Sequence, residues 1–481
     1  MKKLLTILLC VCLLTGLCAC SGQISPGTTV APDATTAAPS GNGAFQAGFG
    51  KVDFTPSESV PMGGYGNSKE RMSTGMWSFL EARAVAVTDE NGDSLIFIVG
   101  DLSWCPKVLG SQIQSKIEKK LGVPKDHVIL SGTHSHGTVD TSCTDVPAVV
   151  KFNSQYVEAM VKAAEKAMED RKPTQVFIGT AETEGLNWVR RYFMDDGSLS
   201  GDNTTGTGTK LVSHESEADG QLQLMKFVRD GGKDILIANF QCHPHLEGKT
   251  TNLSAQVVGT FRDAVEQEIG AHCLYWQGAS GNLNSSSYIE GETRTRDRVE
   301  WGKLLCGYAK EVYNDLTPVA TGPVKVTSVT FHGKVNHELD KYAVEASEVW
   351  AVFNETNDHK KAMSYAEGTP ISSVYHANRI VGNCGLEDTK NMDLAAWSFG
   401  DVSGVVVPYE MFDTNGMEIK TGTPFAMTFI ISYAYPAYMG YIASELAWTN
   451  GGYECDNSVY VRGTAEELVA AYLDMLTELK G

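Results

Sequence analysis

Several things are scarce in this chain of 481 residues. Its cysteines have neither the density nor the paired Cys-x-x-Cys spacing of a disulfide scaffold or a zinc ribbon. Four of them (Cys10, Cys12, Cys18, Cys20) fall in the first twenty residues, leaving Cys105, Cys143, Cys242, Cys273, Cys306, Cys384 and Cys455. Seven is odd, so at least one thiol stays free or pairs with another molecule; most read as small buried hydrophobes. Basic runs are missing too. With a net charge of -19 and a pI near 5.0, the chain offers no phosphate contacts, which excludes a nucleic-acid partner and electrostatic attachment to anionic lipid. No second linker, sequence repeat or coiled-coil heptad divides the long stretch from residue 46 to 481.

What is present begins with Lys2 and Lys3, an apolar stretch over residues 4–17, and Leu17-Cys18-Ala19-Cys20 before Ser21-Gly22. This reads as a secretory signal, too short for the roughly 20 residues of a membrane span. Leu-x-Ala-Cys resembles a bacterial lipobox, making Cys20 the lipidated first residue of the mature protein; an ordinary cleaved signal is the alternative. The expectation is an exported protein, lipid-anchored at the bacterial cell membrane with its domain outside the cytoplasm. Residues 21–45, rich in Ser, Gly, Thr, Pro and Ala, have too little to bury to offset the entropy of ordering and read as a disordered tether.

From residue 46 to 481 strand-like and helix-like stretches alternate. Ser94-Leu-Ile-Phe-Ile-Val99 is a buried strand; Val108, Leu109, Ile113, Ile117 and Leu121 share one helical face. Tyr156, Val157, Met160, Val161, Ala164 and Met168 repeat that face before the strand-like Thr174-Gln-Val-Phe-Ile178. Strands follow at 221–228, 234–240 and 272–276, with amphipathic stretches at 258–269 and 297–316. The order implies one large α/β catalytic domain with mixed β-sheets flanked by helices and an active site at strand ends. Residues 195–216 show no periodicity and read as a surface loop.

Two histidine clusters occupy strand exits. Gly132-Thr-His-Ser-His-Gly137 follows an apolar run, and residues two apart on extended chain face one side, so His134 and His136 point into one cleft. Asp234-Ile-Leu-Ile-Ala-Asn-Phe240 delivers Cys242, His243, Pro244 and His245. Either cluster alone reads equally well as rings capping turns. Placed alike, they point to a divalent metal, zinc first, with some rings as ligands and others behind them.

These residues also carry a resemblance. Gly48-Phe-Gly-Lys-Val-Asp-Phe-Thr-Pro56, Pro61-Met-Gly-Gly-Tyr-Gly66, Ala82-Arg-Ala84, Gly132-Thr-His-Ser-His136, Asn187-Trp-Val-Arg-Arg191 and Phe240-Gln-Cys-His-Pro244 follow in order the motifs of the neutral/alkaline non-lysosomal ceramidase family. The resemblance implies a zinc amidase with one Zn²⁺ held by His134, His243, Glu410 (in Val405-Val-Val-Pro-Tyr-Glu410) and Tyr441 (in Met439-Gly-Tyr-Ile442). It places His136, Arg190 and Tyr453 beside the substrate, an N-acylated and ceramide-like amphiphile whose amide is attacked by zinc-bound hydroxide.

Two departures stand out. Where the family carries Gly-Asp-x-Ser-Pro, this chain reads Gly281-Asn-Leu-Asn-Ser285, with Asn282 at the aspartate and Asn284 at the active-site serine. Ceramidases of the family also continue into a β-sandwich domain, whereas this chain ends about one helix after Tyr453. His245 is extra to the pattern. The changed positions keep two alternatives open: a surface-anchored binding protein on the same fold, and an esterase or another amidase acting on small polar substrates.

Overall fold

In the computed structural model the described residues are 43–481 without 67, 202–205, 294–296 and 439; the signal, the Cys20 lipobox and nearly all of the tether lie outside them. Phe45, the last residue assigned to the tether, is already buried.

One strand order is used three times. In the first unit β1 (Gln46–Asp53), β2 (Glu81–Thr88) and β3 (Ser94–Gly100) run antiparallel. Helix α1 (Lys107–Leu121) then crosses over to β4 (Val128–Gly132), parallel to β3, and α2 (Pro147–Glu169) follows. The second unit repeats this with antiparallel β5 (Lys172–Glu182), β6 (Gln221–Arg229) and β7 (Ile235–Phe240), crossover α3 (Gln256–Ala264), parallel β8 (His272–Gln277) and α4 (Arg298–Val312).

The third begins with β9 (Lys325–Lys334), inserts α5 (Ala343–Thr356), α6 (His359–Met363) and α7 (Val374–Asn383), and resumes with antiparallel β10 (Thr389–Phe399) and β11 (Val402–Val406). Crossover α8 (Asp413–Gly422) leads to parallel β12 (Met427–Ile431), and α9 (Glu445–Asn450), α10 (Tyr453–Asp456) and α11 (Thr464–Lys480) close the chain.

The sequence shows no repeat because only the burial pattern recurs. Parallel strands buried on both faces need continuous apolar runs, and many sequences satisfy that. β3 and β7 are buried throughout, as Ser94-Leu-Ile-Phe-Ile-Val-Gly100 and Ile235-Leu-Ile-Ala-Asn-Phe240. Helix ends are set locally. Gly122 caps α1 at φ +72, Pro147 occupies the first turn of α2, and the Asp297 carboxylate accepts the Val299 and Glu300 amides at the start of α4.

Each sheet has helices on one face: α1 and α2 cover the first, α3 and α4 the second, α8 and α11 the third. The opposite faces share one core, where Phe97, Trp276 and Trp397, one from each unit, meet at ring distances of 5.0, 4.8 and 5.9 Å. The first two units also join through Gln46 and Ala47 against Pro173 and Lys172, forming a nine-stranded sheet. The architecture is α/β with mixed sheets flanked by helices.

Residues 195–216 differ from the loop reading. Leu211–His214 and Leu199–Ser200 pair with Tyr192–Met194 in a small three-stranded sheet, because cross-strand partners supply the order that periodicity lacks. All seven cysteines of the described residues are free thiols. No helix among the described residues is long and apolar enough to cross a membrane.

Candidate metal centre

The carboxyl ends of the three parallel pairs converge. Beyond β4 the Gly132, Thr133 and His134 amides donate to Tyr433, Gly100 and Leu102 carbonyls at 3.1, 3.1 and 3.0 Å, and His134 turns left-handed at φ +61. The segment is therefore not extended as the two-residue spacing suggests. The turn instead aims the His134 ring inward, with Nδ1 2.9 Å from the Ser103 carbonyl beyond β3. His243, three residues beyond β7, sets its Nδ1 2.7 Å from the Ser280 carbonyl beyond β8.

Those contacts orient the opposite nitrogens. His134 and His243 face each other with Nε2 atoms 3.0 Å apart, and His136 Nε2 lies 3.3 Å from His134 Nε2. Glu410, four residues beyond β11, brings Oε2 to 3.3 Å from His243 Nε2 and 3.8 Å from His134 Nε2. With each Nδ1–H given to a carbonyl, both Nε2 atoms carry lone pairs, which repel at this distance unless a cation lies between them. Glu410 Oε2 is buried without a hydrogen-bond partner.

Burial sets the charge states. It pushes His134 down to about 3, lowers His136 well below its ordinary value and raises Glu410, against the opposing pull of His134 and Arg190. Neutral imidazoles with a carboxylate suit zinc, whereas magnesium and calcium prefer oxygen shells. Tetrahedral Zn–N bonds of about 2.05 Å separate ligand atoms by roughly 3.3 Å, close to the separations found here. The donor set fits a zinc ion.

Glu410 and Tyr441 reach the centre together. Glu410–Met411 pairs in parallel with Tyr441–Ile442, which sets Tyr441 directly opposite Glu410. Arg190 lies over the Tyr441 ring at 5.3 Å, donates to the Gly281 carbonyl at 2.9 Å and pairs with Glu454 at 3.0 Å. Tyr453 meets the Tyr441 ring edge at 5.7 Å, and burial holds its hydroxyl protonated. His245 stands 5.2 Å from both the His136 and His243 rings.

His136 differs from the other two rings. Its Nδ1 is buried and unpartnered, so no carbonyl fixes its tautomer, although the site fixes its backbone. Gln256 Oε1 accepts its amide at 3.1 Å and Arg71 donates to its carbonyl at 3.0 Å. Gly64, at φ +97, lies so close that a Cβ there would meet the His136 ring at 2.5 Å.

The reading of the residues missed Tyr433. Two residues beyond β12 and left-handed like His134, it stacks on the His134 ring at 3.7 Å and shares a hydrogen bond of 2.9 Å with Ser280 Oγ. It thereby couples the two histidines. No motif marks it; only its place in the third unit, matching that of His134 in the first, could have pointed to it.

Of the two changed positions, Asn282 is tied into the fold. Asn282 donates to Asp413 Oδ1 at 2.7 Å and accepts the Asp413 amide at 3.0 Å. An aspartate there would face a second buried carboxyl. Asn284 is buried opposite Trp188, its Oδ1 unpartnered, and carries no hydroxyl.

The profile described as "Neutral/alkaline non-lysosomal ceramidase, N-terminal" matches residues 45–327. Neutral ceramidase 1 of Arabidopsis thaliana is 24% identical over 198 residues, 39% of this chain and 24% of that protein. Neutral ceramidase of Drosophila melanogaster is 30% identical over 96 residues, 19% of this chain and 14% of that protein. The matched stretch thus spans about a quarter or less of these curated relatives. A neutral ceramidase crystal structure from Pseudomonas aeruginosa superposes with a TM-score of 0.70 at 16% identity, over 91% of this chain and 74% of that one. It shares the fold. Glu410, Tyr441 and Tyr453 lie beyond the residues matched by the profile.

Proposed function

The chain belongs to the neutral/alkaline non-lysosomal ceramidase family, and from that premise we propose that it is a zinc-dependent hydrolase cleaving the amide bond of an N-acylated, ceramide-like substrate. The observation carrying the reading is the meeting of the buried His134 and His243 Nε2 atoms at an unpartnered Glu410 oxygen, with His136 Nε2 beside that of His134.

His134, His243, Glu410 and Tyr441 would hold the ion. Zinc bound there supplies Lewis acidity, lowering the pKa of water to about 7 and polarising an acyl carbonyl. His136, its Nδ1 uncommitted, is suited to take a proton from water and return it to the departing nitrogen. The C–N bond breaks, water supplies the oxygen of the acid, and the amine leaves with the proton. The Tyr453 hydroxyl, kept protonated by burial, can donate to the oxyanion, while Arg190, committed to Glu454 and Gly281, adds positive charge behind Tyr441. Asn284 offers no nucleophile, so the reading requires none from a side chain there.

Outside the folded domain, Lys2-Lys3, the apolar stretch and Leu17–Cys20 support export and a lipid anchor at Cys20, with residues 21–45 as tether. Such an anchor would hold the enzyme where N-acyl lipids reside.

Metal analysis of the purified protein together with amine release from a panel of N-acyl compounds tests the reading. One transition-metal ion per chain, chelator-sensitive turnover, and a His136→Ala variant that keeps the metal while losing at least ~100-fold in rate are expected. A metal-free active protein would overturn it. Binding without turnover would indicate a binding protein, and ester cleavage alone an esterase.

A further inference from the structure

A cleft beside the metal centre holds an arginine without a counter-charge. Arg379, on α7 of the inserted helices, lines it with Asn336, His376 and Asn383 from one side and Asp456 and Ser458 from the other. Every other described arginine forms an ion pair or hydrogen bond. Arg379 forms neither among the described residues, and its Nε is buried and unpartnered. The acids of the cleft are already engaged: Asp456 accepts the Ser372 and Ser373 hydroxyls at 2.6 Å each, and Asp340 holds His337 at 2.8 Å.

A second cation repeats the pattern. Lys390, on β10, shares a neighbouring cleft with Tyr409, Tyr438 and Tyr441 and likewise has no carboxylate partner among the described residues. Lys107 approaches the same cleft, over the Tyr438 ring at 5.4 Å. Burial weakens the hold of Arg379 and Lys390 on their protons, and Lys390 is also repelled by Arg379 and Lys107. Partly buried cations set near one another without a carboxylate partner are costly through desolvation and mutual repulsion, and a bound anion offsets both.

The cations stand next to the chemistry. Tyr375, four residues before Arg379 on α7, meets the Tyr453 ring at 5.2 Å, and Tyr453 meets Tyr441, the strand partner of Glu410. We propose that Arg379, assisted by Lys390, forms an anion subsite that selects N-acyl substrates bearing a carboxylate or phosphate on the portion lying past Tyr441 and Tyr453. Arginine suits this role because its planar fork binds either oxyanion through paired hydrogen bonds. The proposal rests on the hydrolase reading for its substrate class and chiefly on Arg379, with Lys390 assisting, for its charge preference.

Two pairs of amides test it with the full metal-loaded protein: N-dodecanoylglycine against N-dodecanoyl-2-aminoethanol, and N-dodecanoyl-6-aminohexanoate against N-dodecanoyl-6-aminohexanol. At one spacing at least, the carboxylate should exceed the alcohol about tenfold in kcat/KM, corresponding to 1.4 kcal/mol. Arg379→Gln should bring that ratio close to one through KM, and Arg379→Lys should restore part of it. N-dodecanoyl-O-phosphoethanolamine distinguishes a phosphate preference from a carboxylate one. If no amide is cleaved, the hydrolase reading fails, and calorimetric binding of N-dodecanoyl-6-aminohexanoate, weakened at least fivefold by Arg379→Gln, still decides the subsite. Arg379→Met should melt no lower than the parent, which a structural arginine would not allow. Equal handling of acid and alcohol at both spacings, or a ratio unmoved by Arg379→Gln, overturns the proposal.

Discussion

Replacing Glu454 by alanine should cost stability out of proportion to the atoms removed. Its carboxylate is about 1% exposed and shared, one oxygen 3.0 Å from Arg190 Nε and the other 2.8 Å from Arg191 Nη1. Arg191 would keep Glu215, which it grips at 2.5 and 2.8 Å, and the Ala447 and Gly451 carbonyls. Arg190 would keep the Gly281 carbonyl and the Tyr441 face but lose the carboxylate that its Nε pairs with, at a buried position. Removing one partner of such a pair costs about 3–5 kcal/mol. At an unfolding entropy of about 2.1 cal/mol/K per residue over roughly 440 folded residues, 4 kcal/mol lowers Tm by about 4 °C. Calorimetry of Glu454→Ala, of Arg190→Met and of the double variant reads this directly. The double variant should recover at least half the loss, because it removes both members of the Arg190–Glu454 pair. A single-variant shift below about 1 °C, or strictly additive losses, would refute the reasoning.

Two further outcomes follow from the same site. Burial raises the Asp413 carboxyl to about 6, against about 3.9 in the unfolded chain, so the folded state holds its proton more tightly. That contribution is fully present below about pH 3.9 and is lost as pH rises to about 6, at up to about 1.4 kcal/mol per pH unit. The parent's stability margin over Asp413→Ala should therefore be larger at pH 4 than at pH 7 in urea titrations; an equal margin would mean that Asp413 titrates normally. Gly64→Ala should cost about 1–2 kcal/mol for a side chain at φ +97. It should also displace His136, so turnover falls while metal content holds; full activity would show that the ring position is not critical.

Much of the domain was legible from periodicity. The α1 face, the β3 and β7 runs and the strand-exit positions of His134 and His243 follow from spacing alone, because burial of a helix stripe or a whole strand leaves a local imprint. The ordered motifs likewise indicated the family to which the chain belongs. Glu410 and Tyr441 left no such imprint. They are thirty-one residues apart in sequence and become neighbours only because Glu410–Met411 and Tyr441–Ile442 pair side by side.

What tertiary structure alone decided is the threefold use of one strand order, which brings the ends of β3 and β4, β7 and β8, and β11 and β12 to one place. Local sequence specifies which residues are buried, not which distant strand ends meet. The left-handed turns at His134 and Tyr433 belong to the same category. Neither residue favours φ above zero by itself, and each is held there by partners from another unit, Tyr433 stacked on His134 and the Gly132 amide bonded to the Tyr433 carbonyl.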